Sequence, residues 1–441
     1  MNIIFVSLAT LATIGVGSLD SRLGEDASAP AADFSDLAPP VEEPLAPEEN
    51  AFTYFVQASE VLKRFYTDEN GNSMALSAFI YENNTNLAVV AEILTENEQV
   101  FRLIRQGLKC KSCVFPKLEN ANTLMPYIAH ILYVGRLFNA KIKYERDRGD
   151  IESALRSADD LLNFGRMMRQ NPNTLFSLHV SWAVEGMGIW RIQELARDPR
   201  ISKQQLGRLL KTLDETPPHY ASLQHAIKVE FELMTGYYES LPQIIKDREQ
   251  LKIHLGTDSL LLYFIFRFGF NPKQAQIELA ESYRLLISDN VKFYADMISP
   301  AEYERINHEF QNAFFSKKNA IEKTIVYMTS TGVTYLEWRC KHDANLAATK
   351  IIIASHLFQR ETGRKPQTLA ELVPDFLPSV PLDPFDGAPF RYNPELGVIY
   401  SVGKSLTDYS DVVKSDDDSV SEDDRIELWN AKNMVFKIWE D

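Results

Sequence analysis

Apolar residues recur three and four positions apart through most of this chain, and that spacing predicts helices. In "EENAFTYFVQASEVLKRFY" they are Ala51, Tyr54, Phe55, Ala58, Val61 and Leu62. A second helix, at about 86–107, carries Val89, Ile93, Val100, Leu103 and Ile104. The stretch "TLMPYIAHILYVGRLFNAKIKYERDRGDIESALRSADDLLNFGRMMRQNP" then reads as a helical hairpin. Gly149 is placed to end its first arm in a left-handed cap, and Asp150 to cap the second. Each arm sets a glycine among its apolar positions, Gly135 and Gly165. A glycine inside a helix costs up to about 1 kcal/mol relative to alanine, so close backbone approach is the expected compensation.

The hairpin looks like a tetratricopeptide unit, but no clean repeat period follows it. The next helix, "TLFSLHVSWAVEGMGIWRIQELARDP", presents a single seam of Leu175, Leu178, Trp182, Glu185, Ile189, Ile192 and Ala196. Glu185 is its one charge. A carboxylate there must be paired, protonated or facing a cavity. The structural reading is an ion pair with Arg136 or Arg166 of the hairpin. The functional reading is an acid or base in a pocket, working with His179 or with a second carboxylate. Further helices are expected at about 202–214, 219–240, 273–297, 300–313 and 318–330. The polar stretch around 241–258 reads as a loop insertion. "SLLLYFIFRFGF" (259–270) is too short to span a bilayer and is either a core helix or an interfacial patch.

After residue 330 the pattern changes. Thr334 with Glu337 forms a capping box for a long helix, whose stripe of Ala344, Ala347, Ala348, Ile351, Ala354 and Phe358 suits close packing on a sheet. Gly363 stops that helix, and Thr368 to Glu371 starts one extra turn. Six prolines between 374 and 394 then exclude a helix and favour an extended, turning path. Asp386-Gly387 marks a turn; "PFRYN" and "VIYSV" read as strands joined by "PELG", with "RIELW" and "MVFKIW" closing. The expected fold is mainly α: a multi-helix body over 48–330 and a small α+β C-terminal domain over 331–441.

Composition changes this picture mostly at the ends. The 441 residues are 45% hydrophobic, enough for one or two large cores. The net charge of −15 is concentrated: residues 20–50 hold nine acids against Arg22, and residues 404–441 eleven acids against five bases. The body between is near neutral and shows no stripe of Lys and Arg, which argues against nucleic acid as a partner. Residues 2–19 carry no charged side chain. Segment 1–19 therefore reads as a signal peptide or a membrane anchor through residues 3–19, and 20–47 as a disordered acidic linker rich in Pro and Ala. Both readings place the body outside the cytoplasm, in the periplasm or at the cell surface; a cytosolic protein with a buried N-terminal helix is the plain third alternative. Outside the cytoplasm Cys110 and Cys113 of "CKSC" would form a local disulfide, with free thiols or a redox pair as the alternatives. Cys340 reads as a small apolar residue on a helix.

The segment "ETGRKPQTLAELVPDFLPSVPLDPFDGAPFRYNPELGVIYSVG" resembles the part of type II secretion major pseudopilins that follows their long helix. From "ENAFTYFVQA" onward the chain also resembles a broad group of uncharacterised exported bacterial proteins with a helical body and such an end. The resemblance implies a pilin-like C-terminal domain and calcium in the acidic loop "KSLTDYSDVVKSDDDSVSEDDRIELW", with Asp408, Asp411 and Asp424 as ligands. Calcium prefers such hard oxygen donors, while a solvated acidic loop is the plain alternative. No other cofactor is indicated. The eight histidines form neither HExxH nor a recognisable nucleophile set. The expected function is a non-catalytic scaffold or binding protein of the bacterial cell envelope with a protein partner there. The alternative is an exported helical hydrolase using Glu185 with a second carboxylate or His179.

Overall fold

Helix follows helix from Ala51 to Thr362 in the computed structural model, which describes residues 32–41, 45–62, 87–120, 125–255, 269–303, 332–410 and 432–439 together with isolated residues between these spans. The first are α1 (Ala51–Glu60), α2 (Leu87–Glu96), α3 (Glu98–Gly107), α4 (Tyr127–Asp147), α5 (Ile151–Met168) and α6 (Leu175–Arg197). The single helix expected at 86–107 is two, broken at Asn97, whose buried side chain donates to the Ile93 carbonyl at 2.9 Å. The hairpin forms as α4 and α5. Gly149 takes φ +86° between them, and the Asp150 carboxylate accepts from Ser153 N at 3.1 Å.

Next come α7 (Lys203–Asp214), α8 (His219–Ile244), α9 (Arg248–Leu255) and α10 (Pro272–Asp289). The loop expected at 241–258 is instead the end of α8 followed by α9. Pro242 sits in the last turn of α8, where buried Leu241 still anchors the helix. Helix α10 stops at Asp289, short of the expected 297. The buried Asp289 carboxylate accepts from Ile298 N and Ser299 N and fixes the chain reversal there. Most of 259–270 and of the helices expected at 300–313 and 318–330 lie outside the described residues.

The long helix α11 (Gly332–Thr362) is already helical at Gly332, so Thr334 lies inside it and is not its cap. Gly363 ends it at φ +75°. The helix packs mainly on α6 and α7, and Gln193 of α6 donates to Thr349 at 2.8 Å. A stripe of small side chains admits close approach to any backbone surface, and here that surface is helical. After α11 a capped turn at Leu369–Leu372 precedes β1 (Arg391–Asn393), β2 (Val398–Ser401) and β3 (Met434–Lys437). These form one antiparallel sheet in the order β1-β2-β3, with Tyr392 opposite Ile399 and Ile399 opposite Phe436. Asp383 organises the proline-rich run. Its buried carboxylate accepts from Phe385 N, Ser401 Oγ, Val402 N and Arg391, tying the run to the end of β2.

Two expectations about organisation need correction. One hydrophobic cluster runs from Leu37 to Trp439 and includes Leu336, Ile351 and Ile399, so residue 331 is not a boundary of the core. The helix expected to belong with the sheet is a pillar of the helical body, because its faces meet α6, α7 and α8. The acidic linker 20–47 also has structure in part: Ser35–Leu37 form a 3-10 turn, and Leu37 is fully buried. Residues 1–31 lie outside the described residues. No described helix is long and apolar enough to cross a membrane.

Cys110 and Cys113 are not joined as a disulfide. Their loop is held by amides. Asn50 donates to Val114 O at 2.8 Å and accepts from Val114 N at 3.0 Å, while Asn171 donates to Ser112 Oγ and Asn173 to Pro116 O. Cys340 is buried, and burial pushes its thiol up to about 12.

Candidate functional site

Helix α6 is buried on nearly every side, as expected of a helix that is apolar around most of its circumference. Glu185 lies at its middle and is wholly enclosed. Two glycines bring it there. An added Cβ at Gly165 of α5 would stand 2.4 Å from Glu185 N and 2.6 Å from its Cα. One at Gly188 of α6 would stand 2.9 Å from Leu162 N and Cα. The two helices therefore clasp backbone to backbone at reciprocal points. Gly135 is less demanding, since it faces the side chains of Met187 and Val184 at 3.3 Å.

The clasp sets Glu185 among cations. Arg169, at the end of α5, donates from Nε to Glu185 Oε2 at 2.8 Å and uses its other nitrogens on Ser222 Oγ and Pro217 O. Arg166 Nε stands 3.7 Å from Glu185 Oε1, while its Nη2 holds Thr212 O and Thr216 Oγ1. Arg136, the other candidate partner, lies instead over the Tyr133 ring. On the far side His219, the first residue of α8, places Nε2 3.3 Å from Glu185 Oε2 and Nδ1 2.7 Å from Asp343 Oδ1. Asp343 is held in turn by Arg339 at 2.9 Å, and Arg339 also donates to Lys292 O. The result is an alternating chain Arg166/Arg169, Glu185, His219, Asp343, Arg339 that crosses α5, α6, α8 and α11.

Each ring nitrogen of His219 faces a carboxylate oxygen, an arrangement that favours a proton on both, the imidazolium form. Burial alone would lower its pKa, but Glu185 and Asp343 override burial and raise it. For Glu185 burial pushes upward, while Arg169, His219 and Arg166 hold the carboxyl far below the usual range. Asp343 is likewise lowered against its burial by His219 and Arg339. His342 and His179 differ. Burial, with His219 nearby, pushes His342 down to about 3, and burial lowers His179. Neutral, these rings join an aromatic wall: His179 stacks on Trp338 at 3.9 Å, and His342 tilts against Trp182 at 5.2 Å.

A group whose folded pKa is raised stabilises the protein fully below its unfolded pKa and loses that contribution as pH rises through its folded value. For His219 the unfolded value is 6.5. The stability difference between the wild type and His219→Gln should therefore be largest below this value and shrink steadily above it. Urea unfolding at a series of pH values between about 5 and 9 measures it. A difference that grows with pH would show that His219 is neutral in the fold.

The structure thus joins Glu185 to Arg166, and to His219 rather than His179. The sequence reading missed Arg169, His219, Asp343 and Arg339. Two weak signals were present: Arg169 lies one helical turn after Gly165 and so shares its face, and Arg339 and Asp343 are spaced i,i+4. Nothing in the linear pattern joins these pairs to His219, which stands after Pro217-Pro218. Chemically, an imidazolium at His219 has no lone pair to accept a proton, and Glu185 offers no oxygen to solvent. Arg166 and Arg169 line the adjacent cavity of about 970 Å³ and stand between it and Glu185. Of the expected calcium ligands, Asp408 accepts from Tyr400 OH at 3.1 Å and Ser410 N at 2.9 Å, while Asp411 and Asp424 lie outside the described residues. Among the described residues no group of three or more His, Cys, Asp or Glu is placed to hold a metal ion. No family model, curated protein or solved structure matches this chain.

Proposed function

We propose that the protein is a non-catalytic binding scaffold of the bacterial cell envelope, with a helical body, a pilin-like C-terminal end and attachment or export through residues 1–19. One observation carries the reading. Glu185 and His219, at the centre of the charged constellation that most resembles catalytic machinery, are buried, and its carboxylates are committed to Arg169, Arg166, His219 and Arg339. General acid–base work requires a group within reach of substrate with a proton to give or take. Glu185 and His219 are both buried out of such reach, and each ring nitrogen of His219 is taken up by a carboxylate. A committed charge chain joining four helices holds surfaces in fixed relation, which suits a platform for a protein partner.

The test is a turnover panel of ester, peptide and glycan substrates with the full chain and with Glu185→Gln. Neither form is expected to turn over any of them. Turnover by the wild type that disappears in Glu185→Gln, at an unchanged melting temperature, would establish the hydrolase instead.

A further inference from the structure

Residues 20–47 are acidic and proline-punctuated, a composition that buries too little to fold by itself. Within it, "DFSDL" is nonetheless docked. A 3-10 turn over Ser35–Leu37, closed by Leu37 N donating to Phe34 O at 2.9 Å, sets positions i and i+3 side by side. Phe34 and Leu37 therefore enter the body together. Leu37 is fully buried, and Phe34 meets Phe231 of α8 edge-on at 5.4 Å, with Phe231 in turn against Tyr283 of α10. Between them Asp36 receives the Arg284 fork, Nε at 2.8 Å and Nη2 at 2.7 Å, and Nη2 also reaches the Asp33 carbonyl. Past Leu37 the grip slackens: Val41 is 98% exposed. There the segment forms one wall of a cavity of about 1010 Å³, whose other wall includes Val229, Leu233 and Phe115.

We propose that the groove between α8 and α10 is a docking site for a protein partner presenting an acidic Phe-x-Asp-Leu segment, and that residues 33–41 are its built-in competitor. This deepens the scaffold reading, on which it rests, by naming the partner's chemistry. The anchors are the two apolar side chains, since an exposed ion pair such as Arg284–Asp36 adds specificity more than affinity. Arg284 and Lys228 make the site positive toward Asp36, so an acid at that position is selected. The docked turn is joined to α1 by only a short connector. Such a tether supplies an effective concentration on the order of mM, so a segment whose own dissociation constant is about tenfold smaller is docked about nine-tenths of the time and weakens an outside competitor about tenfold. A partner segment that binds more tightly, or that also fills the cavity beyond Leu37, displaces it.

The experiment uses the full chain and a fluorescent peptide of residues 32–41, read by anisotropy. Two variants empty the groove: Phe34→Ala with Leu37→Ala, and Asp36→Lys, whose side chain lies outside the core. Both are expected to bind the peptide about tenfold more tightly than the wild type, and adding Arg284→Glu to the Phe34→Ala/Leu37→Ala variant should weaken that binding measurably. Equal binding by wild type and emptied variants, or binding indifferent to Arg284, overturns the proposal. Strap-dependent dimerisation of the wild type in sedimentation equilibrium would assign the groove to a second copy and overturn the partner. These outcomes are independent of the turnover panel, so a failure here leaves the non-catalytic reading standing.

Discussion

Gly165→Ala should destabilise the protein by about 3 kcal/mol, the upper part of the range for overpacking a well-filled core. The sign is what makes the substitution diagnostic. At an ordinary helical glycine, alanine stabilises by up to about 1 kcal/mol, because it restricts the unfolded chain and suits the helix. At Gly165 the new methyl would meet Glu185 N, Cα and Cβ at 2.4, 2.6 and 2.7 Å. Two of these atoms are backbone, which cannot rotate away, so α5 and α6 would have to part. Gly207 and Gly236 supply the control, since nothing lies within 4 Å of a Cβ at either. Urea unfolding of Gly165→Ala beside Gly207→Ala should give shifts of opposite sign. Two shifts of the same stabilising sign would mean that the helices do not clasp here.

Glu185→Ala is expected to cost about 3–5 kcal/mol, the range for removing one partner of a buried ion pair. The loss exceeds that of the contacts themselves. Arg169 and His219 would remain in the interior facing a void, and a buried charge without its partner carries its full desolvation penalty. His219 would keep Asp343, and Arg166 its neutral acceptors at Asn163, Thr212 and Thr216. The accompanying pH behaviour has a definite direction. Because Glu185 is held below its ordinary value of 4.5, its contribution is present above that pH and is lost as pH falls through the folded value. The difference between wild type and Glu185→Ala in thermal or urea unfolding should therefore be full near neutrality and collapse only in strong acid. A cost under about 1 kcal/mol near neutrality would show that the charges solvate each other poorly and that the network holds the fold weakly.

Both effects arise at one crossing, and its two halves were unequally visible in the residues. Glu185 stood out as the one charge on an apolar seam, and Arg166 was a candidate because it lies on the neighbouring arm. Gly165 stood out because a helix spends stability to keep a glycine. Those are local signals, written in spacing and composition. His219 and Asp343 gave none. A histidine after two prolines and an aspartate on an exposed-looking turn of a long helix are unremarkable until the helices carrying them are brought to the same point. The contrast recurs in the alanine stripe of α11. Its smallness was legible, but its partner was not, since small side chains suit a helix as well as a sheet. The strap at 33–37 is the sharpest case: its composition says that it cannot fold alone, and it does not fold alone.

What the linear order determined by itself is the periodic and terminal structure: helical faces, the stops at Gly149 and Gly363, the capped turn at Thr368, and the strands that follow the prolines. Each depends on dihedral preferences and hydrogen bonds within a few residues, so each can be read in a short window. Only the tertiary structure decided which faces meet, that α11 belongs to the body's core, and that five helix-borne charges and a histidine form one chain around the buried Glu185 and His219. Those outcomes depend on burial and on electrostatics at low dielectric, which act between residues far apart in sequence and acquire their strength only when water has been excluded from between them.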